Sequence, residues 1–109
     1  MSGSDREVAR VHVVLPAYLQ RLVGLPATTC TVTVPRGNAT VGEVLEVLEG
    51  RYPTLRGVLR LPGAGRVKPH LRVFAGTRDV TLDGLQEALP EEVTSGRAEL
   101  RIVASLSGG

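Results

Sequence analysis

The sequence predicts an α+β fold, a mixed sheet of four to five strands with one main helix across one face. Three observations predict it. Short segments rich in β-branched residues alternate apolar and polar side chains at period two. One segment opening at Thr40 carries its apolar residues at helical period behind a capping signature. The whole chain, 109 residues with 42% apolar and 22% charged, is enough for one hydrophobic core and too little for two. Residues 1–109 are therefore read as a single domain, with 1–9 a flexible leader and 106–109 an extended tail.

Residues Arg10 to Leu15 place Val11, Val13 and Leu15 on one face and Arg10 and His12 on the other, the pattern of a half-buried strand. After Pro16, Ala17 to Val23 carries Leu19, Leu22 and Val23 before Gly24 and Pro26 end it, which fits either a turn or a short helix. Thr29 to Val34 alternates again, with Cys30, Val32 and Val34 opposite three threonines, and its closeness to the first strand predicts an antiparallel partner.

Thr40-Val41-Gly42-Glu43 is a capping box. The Thr40 hydroxyl can accept from the Glu43 amide while the Glu43 carboxylate reaches back to the Thr40 amide. Val41, Val44, Leu45 and Leu48 then form one apolar stripe, with Glu43, Glu46 and Glu49 expected on a solvated face. The helix ends by Arg51, because Tyr52 precedes Pro53 and a residue before proline is driven out of the α region. Leu55, Val58 and Leu59 predict one more helical turn, and residues 62–66 a flexible loop. Leu71 to Ala75 reads as a strand, Gly76-Thr77 as a turn and Asp79 to Leu82 as a short return strand or its beginning. A loop through Ser95-Gly96 leads to a last strand over Glu99 to Ala104, with Leu100, Ile102 and Ala104 inward.

Composition excludes several functions. Thirteen basic against eleven acidic residues leave a formal charge of +2, so charge-driven disorder is ruled out. No apolar run approaches the roughly 20 residues that cross a bilayer, and the first ten residues lack the apolar stretch of a secretory signal, so a cytoplasmic protein with no membrane partner is expected. One cysteine, Cys30, and two distant histidines, His12 and His70, build neither a disulfide framework nor a metal site. Cys30 reads as a small core hydrophobe. Three aromatics, Tyr18, Tyr52 and Phe74, offer no base-stacking platform, so no nucleic-acid partner is expected. From Arg51 to Arg78 the chain carries Arg51, Arg56, Arg60, Arg66, Lys68, Arg72 and Arg78 and no acid, which is either a solvated face or an electrostatic docking patch.

Leu106-Ser107-Gly108-Gly109 follows the last strand directly. In isolation Ser-Gly-Gly is a frayed end. Behind a strand it is also a presented carboxylate, with bare backbone at Gly108 and Gly109 that a narrow channel can enclose.

Several segments together resemble the MoaD/ThiS family of small sulfur carriers. Leu15-Pro16-Ala17-Tyr18-Leu19 is similar to the family's L-P-A-Y-L, Thr40 to Leu45 to its T-V-G-E-V-L helix start, Arg51-Tyr52-Pro53-Thr54-Leu55 to its R-Y-P-x-L turn, and Gly108-Gly109 to its end. The resemblance covers nearly the whole chain from Val11 and implies the ubiquitin-like β-grasp fold. It implies that Gly109 is the adenylation and sulfur-carrier site, with Gly108, Ser107 and Leu106 as the tail entering the partner. An ubiquitin-activating-type enzyme would use ATP and Mg²⁺ to join AMP to Gly109. A sulfur donor protein's persulfide would then leave a thiocarboxylate, which a sulfur-accepting synthase would consume in making molybdopterin, cysteine or a thiolated metabolite. On this reading the chain binds no cofactor or metal itself, supplies no acid, base or nucleophile, and is not an enzyme. An ubiquitin-like modifier conjugated through Gly109 needs the same tail, and a plain β-grasp binding domain needs none. In a β-grasp sheet the first and last strands are neighbours, so the outward apolar residues Val14 and Val103 mark a docking face, to which Arg72 and Arg78 are assigned with them.

Overall fold

A computed structural model describes residues 8–61, 63 and 65–104; the tail positions Leu106, Ser107, Gly108 and Gly109 and most of the expected leader lie outside them. The chain runs through β1 (Val8–Val14), α1 (Ala17–Val23), β2 (Thr29–Pro35), α2 (Val41–Arg51), β3 (Leu71–Ala75), β4 (Arg78–Asp79), α3 (Glu91–Thr94) and β5 (Leu100–Ala104), with short 3-10 turns at Arg36–Asn38, Pro53–Leu55 and Thr81–Asp83. The sheet order is β2-β1-β5-β3-β4. β1 pairs antiparallel with β2 and parallel with β5, and β3 pairs antiparallel with both β5 and β4. This is the mixed sheet with a helix on one face that the pattern predicts.

One core fills the space between sheet and helix. Val11 and Val13 of β1, Val32 and Val34 of β2, Leu71, Val73 and Ala75 of β3, and Leu100 and Ile102 of β5 are all buried, so every strand but β4 turns its alternate side chains inward. Against them lies the stripe Val41, Val44, Leu45 and Leu48 of α2, all buried. The helix starts where the capping box places it, with the Glu43 amide donating to the Thr40 hydroxyl at 3.1 Å, and it closes at Tyr52.

Four expectations are corrected. Val8 and Ala9 are not leader but the first two residues of β1: Ala9 is fully buried, and the strand's register begins at Val8 opposite Pro35. Glu49 does not face water. It is 7% exposed and takes Arg60 on both carboxylate oxygens, with Arg60 Nε donating at 2.9 Å. A carboxylate that shares a helix face with the core needs such a partner. In place of the further helical turn over Leu55 to Leu59, a 3-10 turn begins earlier, at Pro53, and ends at Leu55; Leu55 and, beyond the turn, Leu59 are buried. The return strand after Gly76 is only two residues long and gives way to a 3-10 turn, because the Thr81 hydroxyl and amide both bond Asp79 and fold the chain back on itself. The helix α3 had no periodic signal: a single turn, it buries only Val93 and Thr94. The open choice over residues 17–23 resolves as a helix, ended by Gly24 in the left-handed conformation.

Gly42 shows why a glycine sits in the first turn of α2. Its amide donates to the Leu85 carbonyl at 2.7 Å, and a Cβ there would stand 3.0 Å from that oxygen and 3.2 Å from the Leu85 Cβ. The long connection between β4 and α3 thus crosses the helix start on bare backbone. Helix propensity alone favours alanine over glycine by about 1 kcal/mol at any interior position, so two substitutions in one helix should part company. Gly50→Ala, exposed and with open space around it, should raise stability by ~0.5–1 kcal/mol. Gly42→Ala should lower it by about 1–2 kcal/mol through overpacking. Urea unfolding of both variants checks this; equal effects of the same sign would show that Leu85 moves aside freely.

Candidate functional site

The site forms where β5 runs out beyond its neighbour. β1 pairs with β5 only at Val13↔Leu100 and Val14↔Arg101. The next residues, Leu15 and Pro16, turn the chain into α1, and Pro16 cannot donate to a ladder. From Ile102 onward, β5 is therefore flanked on one side by β3, whose Leu71 lies opposite Ala104, and on the other by the start of a helix. The gap is an apolar groove of about 490 Å³, lined by Val14, Pro16, Ala17, Tyr18, Val103 and Ala104, with Arg21 and Arg101 among its other walls.

Val14 and Val103, chosen from alternation alone, both line this groove and are both half-buried. They are not direct partners: Val14 lies opposite Arg101, and Val103 opposite Arg72. Arg72 thus belongs to the surface beside the groove. Arg78 does not. It pairs with Ala75, at the end of β3 that faces Leu100 rather than Ala104, and on the far edge of the sheet. Its assignment to the docking face is corrected by strand length, since β4 reaches only the far end of β3.

A contact that sequence reasoning missed spans the outgoing end of β5. Tyr18, from α1 on one flank, and His70, just before β3 on the other, are joined Oη to Nε2 at 2.8 Å. Tyr18 stood in the L-P-A-Y-L segment, but His70 lay in a stretch without periodicity, and nothing in the sequence pairs residues 52 positions apart. Cys30 is half-buried, and burial pushes its thiol up from its ordinary value more than the nearby Arg51 charge draws it down, which leaves it a protonated packing residue. His12 Nδ1 lies 3.0 Å from the Thr31 hydroxyl. Among the described residues, no three His, Cys, Asp or Glu side chains converge as a metal site, and no helix is long and apolar enough to cross a membrane.

The basic run from Arg51 to Arg78 is less positive than its sequence. Arg60, Arg72 and Arg78 bind Glu49, Asp79 and Asp83, acids that lie before or after the run in sequence and beside it in space. Arg51 donates to the Thr31 carbonyl at 2.9 Å and sits 6.0 Å over the Tyr52 ring. Arg56, Arg66 and Lys68 are left with no carboxylate among the described residues.

No protein-family model matches the chain. It is 47% identical over 55 residues to small archaeal modifier protein 3 of Haloferax volcanii, a match covering 50% of this chain and 58% of that relative. Among solved structures it superposes on the solution structure of the Haloferax volcanii HVO 2177 protein with a TM-score of 0.73 and 31% identity, covering 94% of this chain and 89% of the other. It superposes on the crystal structure of SAMP1 from the same organism with a TM-score of 0.67 and 28% identity, covering 92% and 99%. The sheet and helix are thus those of ubiquitin-like β-grasp proteins.

The ion pair that joins Arg72 to β4 carries a pH dependence. Asp79 accepts from the Thr81 hydroxyl at 2.6 Å and amide at 2.9 Å, with Arg72 at 3.3 Å, and these bonds hold its carboxyl below its ordinary value of 3.8. A depressed carboxyl contributes stability above the unfolded-state pKa and loses it as pH falls through the native one. Asp79→Asn should therefore destabilise the protein at neutral pH, and the gap to the parent should close as pH drops below the ordinary carboxylate range. Thermal unfolding across that range checks this; a gap that stays constant would mean the charge on Asp79 is not what the two Thr81 bonds stabilise.

Proposed function

The chain belongs to the ubiquitin-like MoaD/ThiS family of small modifier and sulfur-carrier proteins, and from that premise we propose that it carries sulfur as a thiocarboxylate on Gly109. The observation that supports this reading is the apolar groove at the outgoing end of β5, bordered by Val14 and Val103 and leading to Ala104, five residues before Gly109. A partner seated there holds the tail's origin while the tail itself enters a catalytic channel.

The chemistry assigns the labour. A carboxylate is a poor electrophile, so an ubiquitin-activating-type partner binding ATP and Mg²⁺ joins the Gly109 carboxylate to the α-phosphorus, releasing pyrophosphate. Sulfur from a donor protein's persulfide then adds at the carbonyl carbon and AMP leaves. Thiol cleavage of the resulting acyl disulfide frees the thiocarboxylate for a sulfur-accepting synthase. The chain contributes bare backbone at Gly108 and Gly109 and a docking face; it is the substrate and carrier, and the catalysts are its partners. A second reading, conjugation of Gly109 to a lysine amine of another protein, shares the adenylate and is favoured by the modifier relative of Haloferax volcanii. The two part at the nucleophile, sulfur or amine.

Incubation of the full chain with its adenylating partner, ATP, Mg²⁺ and a sulfur source should exchange one oxygen for sulfur at Gly109, read by intact and fragment mass spectrometry. Modification mapped to Cys30, or none, refutes the carrier reading, and lysine-linked conjugates in place of the thiocarboxylate select the modifier. Gly108→Val should abolish activation at an unchanged melting temperature.

Docking has its own check. Full burial of a valine is worth about 1.5–3 kcal/mol, and a charge in its place adds desolvation. Val103→Asp should weaken binding to the adenylating partner by at least about tenfold, whereas Thr31→Asp, exposed on the distant edge strand β2, should change it little. Calorimetry giving equal losses for both would remove the groove from the docking face.

A further inference from the structure

The end of the sheet opposite Ala104 carries a second concavity, independent of the proposed carrier function. Five arginines, Arg60, Arg72, Arg78, Arg97 and Arg101, each hold a carboxylate. Arg10 and Arg36 hold none among the described residues, and both border one trough of about 460 Å³. Its floor is the outward row of β1, Val8, Arg10 and His12, and its walls are Arg36 on one side and Ser95-Gly96 on the other; no acidic side chain lines it.

The donors in this trough can be counted. Arg36 gives one Nη2 bond to the Val8 carbonyl at 3.2 Å, which tethers the guanidinium and leaves its other N–H groups open. The Arg10 guanidinium has no bond to any described residue. His12 lies with Nδ1 at 3.0 Å from the Thr31 hydroxyl, and with that hydroxyl donating, the Nε2–H is free. A Cβ at Gly96 would stand 3.4 Å from His12 Nε2, so the absent side chain keeps that nitrogen open. Thr94 and Ser95 spend their hydroxyl protons on the Glu91 and Glu92 carbonyls, both at 3.2 Å. The two acids of α3 do not line the trough. Glu91 holds Arg97 at 2.6 Å, and the Glu92 carboxylate lies against Gly76.

Two guanidiniums, and an imidazole whose Nε2–H faces the trough in the tautomer that accepts from Thr31, match an oxyanion. A carboxylate has two oxygens and one charge. A phosphoryl group has three terminal oxygens and close to two charges at neutral pH, and guanidinium forks meet it bidentately. We propose that the trough bounded by Arg10, His12, Arg36 and Gly96 is a binding site for a phosphoryl group. Val14 lies four residue steps along the strand from Arg10, about 13 Å at 3.3 Å per step, so the site can be occupied while a partner holds the groove.

The test uses the full ¹⁵N-labelled chain and inorganic phosphate as the probe, with sodium chloride at matched ionic strength, sodium acetate and adenosine monophosphate as separate arms. Amide shifts at Arg10, His12 and Gly96 should saturate with phosphate and not with chloride or acetate. Tighter saturation by adenosine monophosphate assigns the phosphoryl group to a nucleotide, and equal saturation assigns it to free phosphate. Arg10→Gln with Arg36→Gln should weaken binding at least about tenfold; Arg66→Gln, another exposed arginine, should leave it unchanged, and circular dichroism should show all variants folded. The proposal is overturned if the shifts follow ionic strength alone, if acetate saturates the site as well as phosphate, or if the double variant binds undiminished. It is also overturned if binding emerges only in Asp5→Asn/Glu7→Gln, because the chain's own leader would then be the occupant.

Discussion

The parallel pairing of β1 with β5 is the constraint from which the other features descend. Two strands at opposite ends of the sequence lie side by side in the same direction, so the chain between them must leave one end of the sheet and return to the other. A hairpin cannot do this. The return path is supplied by α2, which crosses the sheet and buries four apolar residues against it, and by the long connection from β4 through α3. Because β5 enters between β1 and β3, its first two residues pair with both neighbours, and Ile102 to Ala104 pair with β3 alone.

That anchoring is deliberately incomplete on one side. β1 stops two residue pairs into its contact with β5, since Pro16 opens a helix in place of more strand. The shortfall leaves apolar side chains of an inner strand lining an open groove, and it leaves Tyr18 free to reach His70 across the strand's outgoing end. A longer β1 would have sealed the sheet and removed the groove. The same economy appears at the opposite edge, where β4 ends after two residues because Asp79 binds Thr81 and turns the chain.

Charge is distributed by the fold rather than by the order of residues. Glu49, on a helix face otherwise apolar, lies buried because Arg60 arrives from eleven residues on. Asp79 and Asp83 neutralise two arginines of a run that reads as purely basic. Arg10 and Arg36, 26 residues apart and unremarkable in sequence, border one trough, while three of the seven cations in the conspicuous run are spent on internal ion pairs.

The alternating segments, the capped helix and the turn at Tyr52-Pro53 were legible from residues alone, because each rests on interactions within a few positions: side-chain period, the Thr40 cap and the conformational bias before proline. The placement of Val14 and Val103 on one outward face was legible for the same reason. The strand order, the two-pair contact between β1 and β5 and hence the groove, the pairing of Tyr18 with His70 and the burial of Glu49 were decided only in three dimensions. Each depends on where a distant segment comes to lie, and so does the short helix α3, whose single turn carries too few residues for periodicity to show. Local sequence fixes dihedral angles and faces; which faces meet is set by closing one core around all of them at once, and that closure is a property of the whole chain.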